Sequence, residues 1–117
     1  MTASESHHSL SRRKVCPWVM RARFNALRIA EREGDGHVML VILDDAAAPP
    51  KAGQVAGARS QFIEYREDRR PVAKCHRYLK PDRTIGGRGR PDPKWLRVEN
   101  EVWTPSHFDF ERCSDCP

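Results

Sequence analysis

Two cysteines close to the C-terminus, Cys113 and Cys116, have the spacing at which two thiolates can bind one Zn²⁺ ion. A structural zinc site needs four ligands, and the candidate partners are Cys75, His76, His107 and, more remotely, Cys16. The chemically soundest set, which would attach the tail to a strand, is Cys75, His107, Cys113 and Cys116. A redox pair, or thiols that bind nothing, are the alternatives. Apart from this structural zinc, no cofactor is expected.

Residues 66–97 form a strongly basic segment, with eleven Lys and Arg against four Asp and Glu, a net charge of +7. The flanking segments 29–65 and 98–117 carry −3 and −4, while residues 1–28 carry +5. Such asymmetry favours an anionic partner for the basic segment. Nucleic acid is the leading hypothesis, with affinity supplied by phosphate neutralisation and counterion release. An acidic protein partner, or a solvated face neutralised by the acidic tail, are the alternatives.

Within this segment, the string from Gly87 to Pro91 places one glycine between Arg88 and Arg90. An extended backbone of this kind can lie in a narrow A·T-rich minor groove, with both guanidinium groups along its floor. The string resembles the AT-hook, whose core is Arg-Gly-Arg-Pro with basic flanks. The resemblance implies that Arg88 and Arg90 enter the groove. The chain departs from the pattern at Asp92, where the family has a basic residue.

Other basic residues of the segment would contact phosphates: Arg69, Arg70, Lys74, Arg77, Lys80, Arg83, Lys94 and Arg97. Four aromatic residues flank them and could stack on single-stranded bases: Tyr65, Tyr78, Trp95 and Trp103. The alternative interpretation assigns four aromatic residues to a small core: Phe62, Tyr78, Trp95 and Trp103.

A longer stretch, residues 76–94, is similar to a pattern found in short uncharacterised bacterial proteins. In that pattern a strand is followed by Pro-Asp-Gly-Thr, a glycine-rich turn and Pro-Asp-Pro-Lys, and here Arg83 stands in place of the glycine. The resemblance implies no activity. It indicates only that residues 58–105 form a module to which residues 1–57 are attached.

The elements that would position these residues follow from periodicity. Helix-forming residues from 18 to 33 with apolar positions at helical spacing predict one helix, and the apolar run 37–43 predicts a buried strand. Strands are expected at 61–66 and 72–79 around a turn at 67–70, with a second small hairpin at 96–98 and 102–103. A long irregular loop should span residues 80–94, which contain three Gly and three Pro.

The expected organisation has five parts. Residues 1–15 are disordered, 16–43 form a helix-strand segment, 44–59 a linker, 60–105 a small β-rich module, and 106–117 an acidic tail with two cysteines. The fold class is therefore α+β: one N-terminal helix and a small β-rich body of four or five strands arranged in hairpins.

Composition excludes several classes of protein. With 117 residues, 38% of them hydrophobic, the chain is not a transmembrane protein, a collagen-like repeat or a large multi-domain enzyme. No secretory signal is recognisable, so we expect a cytoplasmic protein with reduced cysteines and no membrane partner, a transit peptide being the alternative. Sequence signatures of a nucleophile elbow, a phosphate-binding loop or a zinc protease are missing, so no enzymatic activity is expected.

Overall fold

The computed structural model describes residues 10–87 and 89–106, which form one mixed β-sheet with helices against one of its faces. The strands are β1 (Ser11–Val15), β2 (Met39–Ala47), β3 (Arg59–Glu67), β4 (Arg70–Leu79), β5 (Asp92–Val98) and β6 (Glu101–Pro105). They lie in the order β1-β6-β5-β4-β3-β2. Strand β1 runs parallel to β6, and all other neighbouring pairs are antiparallel. A mixed α+β class with a strand-rich body is thus confirmed.

The helix expected at residues 18–33 is bent into two parts, α1 (Pro17–Ala26) and α2 (Ile29–Gly34). Proline suits the first position of α1, because its missing N–H would have no partner within the helix. The helix ends where the Arg28 N–H bonds to the Asn25 carbonyl at 3.1 Å and Arg28 adopts a φ of 56°. This left-handed residue redirects the chain, so that apolar residues of both parts reach the sheet.

The core lies between the helices and the sheet face beneath them, which we call the covered face. Phe24 of α1 packs against Tyr65 of β3 with ring centroids 5.9 Å apart. Arg23, also on α1, lies over the ring of Trp103 with its Cζ 5.2 Å from the centroid. The largest fully buried side chains are Phe24, Met20, Ile29, Ile63, Leu96 and Cys75. The helices supply half of these, and two of them, Met20 and Phe24, belong to the apolar helix face expected from the sequence.

Both expected hairpins form. Strands β3 and β4 are joined through Asp68 and Arg69, which both have positive φ, at 52° and 67°. Two such residues in succession are typical of tight turns whose twist matches that of the strands. Strands β5 and β6 are joined through Glu99 and Asn100, with Glu99 at a φ of 56°. These turns place the residues of β3, β4 and β5 in a fixed register.

Strand β1 differs from the disorder expected for residues 1–15. Its sequence, Ser-Arg-Arg-Lys-Val, has no apolar alternation, and Val15 is its one buried residue, at 7% exposure. The strand is held by its parallel pairing with β6 and by the backbone bond from the Ser11 N–H to the Asn100 carbonyl at 3.2 Å. Such pairing depends on a partner 90 residues away in the chain, which local patterning does not reveal.

The segment expected to be a linker, 44–59, is partly strand. Strand β2 continues through a bulge at Leu43 to Ala47, which pairs with Arg59 of β3. A short 3₁₀ helix (Pro50–Ala52) then leads back toward β3. The helix-strand segment and the β-rich segment therefore share one sheet, because β2 pairs with β3 along most of its length.

Candidate nucleic-acid interface

The sheet face opposite the helices carries a second set of side chains from β3, β4 and β5. Residues paired across strands point to the same face, and neighbours along a strand alternate. Tyr65, Ala73 and Leu96 are in register and buried on the covered face. Their neighbours therefore point away from the helices, onto a surface that we call the open face. Its central residues are Ser60, Phe62, Glu64, Lys74, His76, Tyr78 and Trp95.

Opposite charges meet at the centre of the open face. The Glu64 carboxylate, with only 6% of its side chain exposed, pairs with the Arg66 guanidinium and lies 3.8 Å from the Lys74 ammonium. Both cations remain accessible, with 43% of the Arg66 side chain and 34% of the Lys74 side chain exposed. Two cations against one buried anion leave this centre positively charged.

Aromatic rings surround this charged centre and are partly exposed. The Lys74 Nζ lies 5.1 Å from the ring centroid of Trp95. On the other side, His76 and Tyr78 meet nearly at right angles, with centroids 4.6 Å apart and an interplanar angle of 85°. Phe62 lies across from His76 on β3. The open face thus combines cations with partly exposed rings.

The interpretation that four aromatic residues form the core is correct for Trp103, which is 6% exposed. Phe62, Tyr78 and Trp95 lie instead on the open face and are only half-buried. Tyr65, which the sequence groups with possible stacking residues, is buried at 2% exposure. Alternation along β3 explains this division, since Tyr65 lies three positions after Phe62 and side chains an odd number of positions apart point to opposite faces.

His76 is a neutral group on this surface at pH 7. Partial burial lowers its pKa below the ordinary 6.5, the nearby Lys94 lowers it further, and Asp92 acts in the opposite direction. The Ser60 hydroxyl lies 2.8 Å from the His76 Nε2, so the two form a hydrogen bond between β3 and β4. This bond fixes the imidazole ring against Tyr78.

A depression of about 520 Å³ lies beside the β3–β4 turn. Arg97 follows Leu96 on β5 and so points to the open face, and its Nε donates to the Glu99 carbonyl at 3.4 Å. The depression is lined by Glu67, Asp68, Arg70, Val72 and Arg97. Two guanidinium groups and two carboxylates line it, so the depression has no net charge.

Two of the predicted basic residues lie elsewhere. The Arg77 Nε donates to the Gln61 Oε1 at 2.9 Å on the covered face. Arg90 is held by the helices: its Nε donates to the Asn25 Oδ1 at 2.7 Å, and its Nη2 lies 3.0 Å from a Glu31 carboxylate oxygen. The expected role of Arg90 in a minor groove would require these contacts to break.

The remaining predicted residues are peripheral. Arg69 lies in the β3–β4 turn, while Lys80 and Arg83 belong to the turn after β4, where Arg83 has a φ of 74°. Lys94 is exposed on β5, with its Nζ 3.0 Å from a neighbouring carboxylate. Arg88 lies outside the described residues. Of the ten predicted residues, the structure brings Lys74 and Arg97 to the open face and Arg70 to the β3–β4 turn at its end.

The candidate zinc set is only partly within the described residues, since His107, Cys113 and Cys116 lie outside them. Cys75 is fully buried on the covered face, and burial raises the pKa of its thiol, with Asp92 contributing. Without a bound metal, the raised pKa keeps this thiol protonated, and the side chain packs among the apolar residues of the core. Across residues 10–87 and 89–106, His, Cys, Asp and Glu side chains nowhere gather in a group of three that could hold a metal.

Sequence reasoning did not include Arg66, Phe62 or His76 among the binding residues. Their common signal is alternation: with Tyr65 and Ala73 assigned to the core, every second residue of β3 and β4 must face the other way. An unbroken register for the hairpin through Asp68 and Arg69 would place Phe62 opposite Cys75, and the bulge beside Tyr65 shifts the pairing by one residue, so that Phe62 lies opposite His76. A net charge summed over residues 66–97 conceals this separation into two faces.

No helix in the described part of the chain has the length and apolar character needed to cross a membrane. Comparisons with known proteins give no match, whether to a protein family, to a curated protein or to a solved structure. The function must therefore be argued from the open face and its charges.

Proposed function

We propose that this protein is a non-enzymatic nucleic-acid-binding protein whose main contact surface is the open face. One observation carries the proposal: cations and partly exposed aromatic rings lie together on a sheet face that the described helices leave uncovered. Lys74 and Trp95 form the clearest pair, because a positive charge and a stacking surface are 5.1 Å apart. Nucleic acid offers phosphates and bases at comparable separations, which suits both groups.

Binding would depend mainly on phosphate neutralisation. Four basic side chains supply it at or beside the open face: Arg66, Arg70, Lys74 and Arg97. Each phosphate contact releases condensed counterions, so the affinity should fall steeply as salt increases. The peripheral residues Arg69, Lys80, Arg83 and Lys94 would extend the contact along the strand. Arg88, beyond the described residues, stays a predicted groove contact.

Fluorescence anisotropy with a labelled oligonucleotide, measured between 50 and 200 mM salt, tests the proposal. We expect a linear fall of log K with log salt, and a slope smaller by about 2 in the variant R70Q/K74Q/R97Q, since each phosphate contact contributes roughly 0.7 to 0.9. A matched control, K51Q/R59Q/R90Q, removes the same charge away from the open face and should keep most of the slope.

Two results would contradict the proposal: absence of binding at 50 mM salt, or an affinity that does not respond to salt. If the protein instead binds an acidic polypeptide, such as polyglutamate, and no oligonucleotide, then the alternative adaptor function gains support. Equal slopes for the two triple variants would show that the open face is not the contact surface.

A further inference from the structure

We infer that the nucleic acid bound by the open face is single-stranded, with its bases stacked on Trp95, Tyr78 and Phe62. The inference rests on the proposed function and specifies its substrate class. Single strands of DNA and of RNA both fit this inference, because the contacts involve only base faces and phosphates, which both molecules have.

The shape of the surface argues against readout of a duplex. Neighbouring strands lie about 4.8 Å apart, so a sheet of six strands is roughly 24 Å wide. The major groove of B-DNA is about 12 Å wide and admits a helix or a two-stranded ribbon. The open face is too broad to enter it, so its rings could reach the bases of a duplex only if the duplex were bent and its minor groove opened, which costs free energy. In a single strand the base faces are free to reach them.

The positions of the rings match a strand that crosses the sheet. Phe62 lies on β3, Tyr78 on β4 and Trp95 on β5, so the three rings come from three successive strands. Phosphates between stacked bases would pass close to the cations of the same surface. The Lys74 Nζ stands beside Trp95, and Arg66 lies toward the β2 edge of the face. The cations and Trp95 lie toward the β3–β4 turn, and Phe62 and Tyr78 lie further from it, so one strand of nucleic acid along this face can meet both kinds of group.

The rings are also held in place before any ligand binds. The Tyr78 ring is fixed by its perpendicular contact with His76, which in turn bonds to Ser60 on β3. Trp95 lies opposite Lys74, whose ammonium is drawn toward Glu64 at 3.8 Å. Little ordering of these side chains remains to oppose binding, which favours affinity.

The test compares labelled 12-nucleotide DNA and RNA strands with the DNA strand annealed to its complement. We expect at least one single strand to bind at least tenfold more tightly than the duplex. Trp95→Ala and Tyr78→Ala should each weaken single-strand binding by about 5- to 100-fold, the range observed when one stacking ring is removed. Trp95→Phe and Tyr78→Phe should restore most of the affinity, because phenylalanine keeps a stacking face.

Trp18→Ala is the matched control, since Trp18 lies on α1 and contacts Arg21 rather than the open face. It should leave the affinity unchanged. Quenching of tryptophan fluorescence by an unlabelled strand gives a second measurement that needs no alanine variant. The quenching should largely disappear in Trp95→Phe and persist in Trp18→Phe.

The outcomes separate the two levels of the argument. Equal, salt-dependent binding of single strand and duplex, with unchanged affinity in the Trp95 and Tyr78 variants, overturns this inference and leaves the proposed function standing. If no oligonucleotide binds at low salt, both fail. Tighter single-strand binding that falls in the alanine variants and recovers in the phenylalanine variants supports both.

Discussion

Replacing Arg90 by alanine should weaken the attachment of the loop before β5 to the helices. It should not abolish binding to A·T-rich DNA. The side chain makes two contacts, a hydrogen bond to Asn25 at 2.7 Å and an ion pair with Glu31 at 3.0 Å. The sequence resemblance assigns the same residue to a minor groove, so this variant distinguishes the two roles.

The magnitude follows from exposure. Arg90 and Glu31 keep 40% and 36% of their side chains exposed, so water and salt screen the pair strongly. An exposed pair contributes roughly 0.2 to 1 kcal/mol, and the hydrogen bond to Asn25 adds about 0.5 kcal/mol. We therefore expect Arg90→Ala to lower the free energy of unfolding by about 1 kcal/mol, which corresponds to a Tm lower by about 4 °C.

Three measurements check this reasoning. Urea denaturation gives the free energy, and a double-mutant cycle with Glu31→Gln should give a coupling of about 0.2 to 1 kcal/mol. NMR titration should show the pKa of Glu31, which its hydrogen bond from Arg90 lowers, returning toward 4.5 in the variant. Unchanged stability and an unchanged Glu31 pKa, combined with lost binding to A·T-rich duplex, would refute the helix-anchoring role.

Three further predictions concern buried or strained groups. Cys75→Ser should lower the free energy of unfolding by about 1 to 3 kcal/mol, because it buries a hydroxyl in an apolar core. A chelator should leave the urea midpoint of the unaltered protein unchanged, and a fall in that midpoint would indicate that Cys75 is a metal ligand. The free energy of unfolding should fall as the pH drops from about 7 through 6.5 toward the lower folded-state pKa of His76, because the unfolded state takes up the proton first. His76→Phe should flatten this part of the plot of stability against pH, and an unchanged plot would contradict the direction of the pKa shift. Arg28→Gly should raise the free energy of unfolding by about 0.5 to 1 kcal/mol, because glycine adopts the φ of 56° found there without the Cβ penalty. A lower Tm in thermal denaturation would show that contacts of the Arg28 side chain stabilise the protein by more than the backbone strain destabilises it.

Local periodicity was sufficient to predict most elements of the fold. The apolar run at 37–43 lies largely within β2, and the turn at 67–70 coincides with the reversal at Asp68 and Arg69. These features depend on residues close together in the chain, whose pattern of polarity or turn chemistry is sufficient to determine the local structure. The bend at Arg28 carries no such signal, because it follows from where α1 and α2 must meet the sheet.

Long-range contacts account for what the sequence did not predict. Strand β1 forms because β6 offers it a free edge, and the polar residues from Ser11 to Lys14 would otherwise favour disorder. Arg90 is drawn to Asn25 and Glu31, which precede it by about sixty residues. Charge composition gives no information about such distances, so it could indicate an anionic partner but not the surface that binds it.

The functional surface follows from the two-residue period of β4. Lys74, His76 and Tyr78 point to the open face, whereas Cys75 and Arg77 between them point to the covered face. A net charge summed along the chain counts both sets together, although only one set can meet a ligand on the open face. Pairing with β3 and β5 then adds the rings of Phe62 and Trp95 to the first set. A combination of cations and rings that is scattered in the sequence thus becomes a single surface, because three strands share one register.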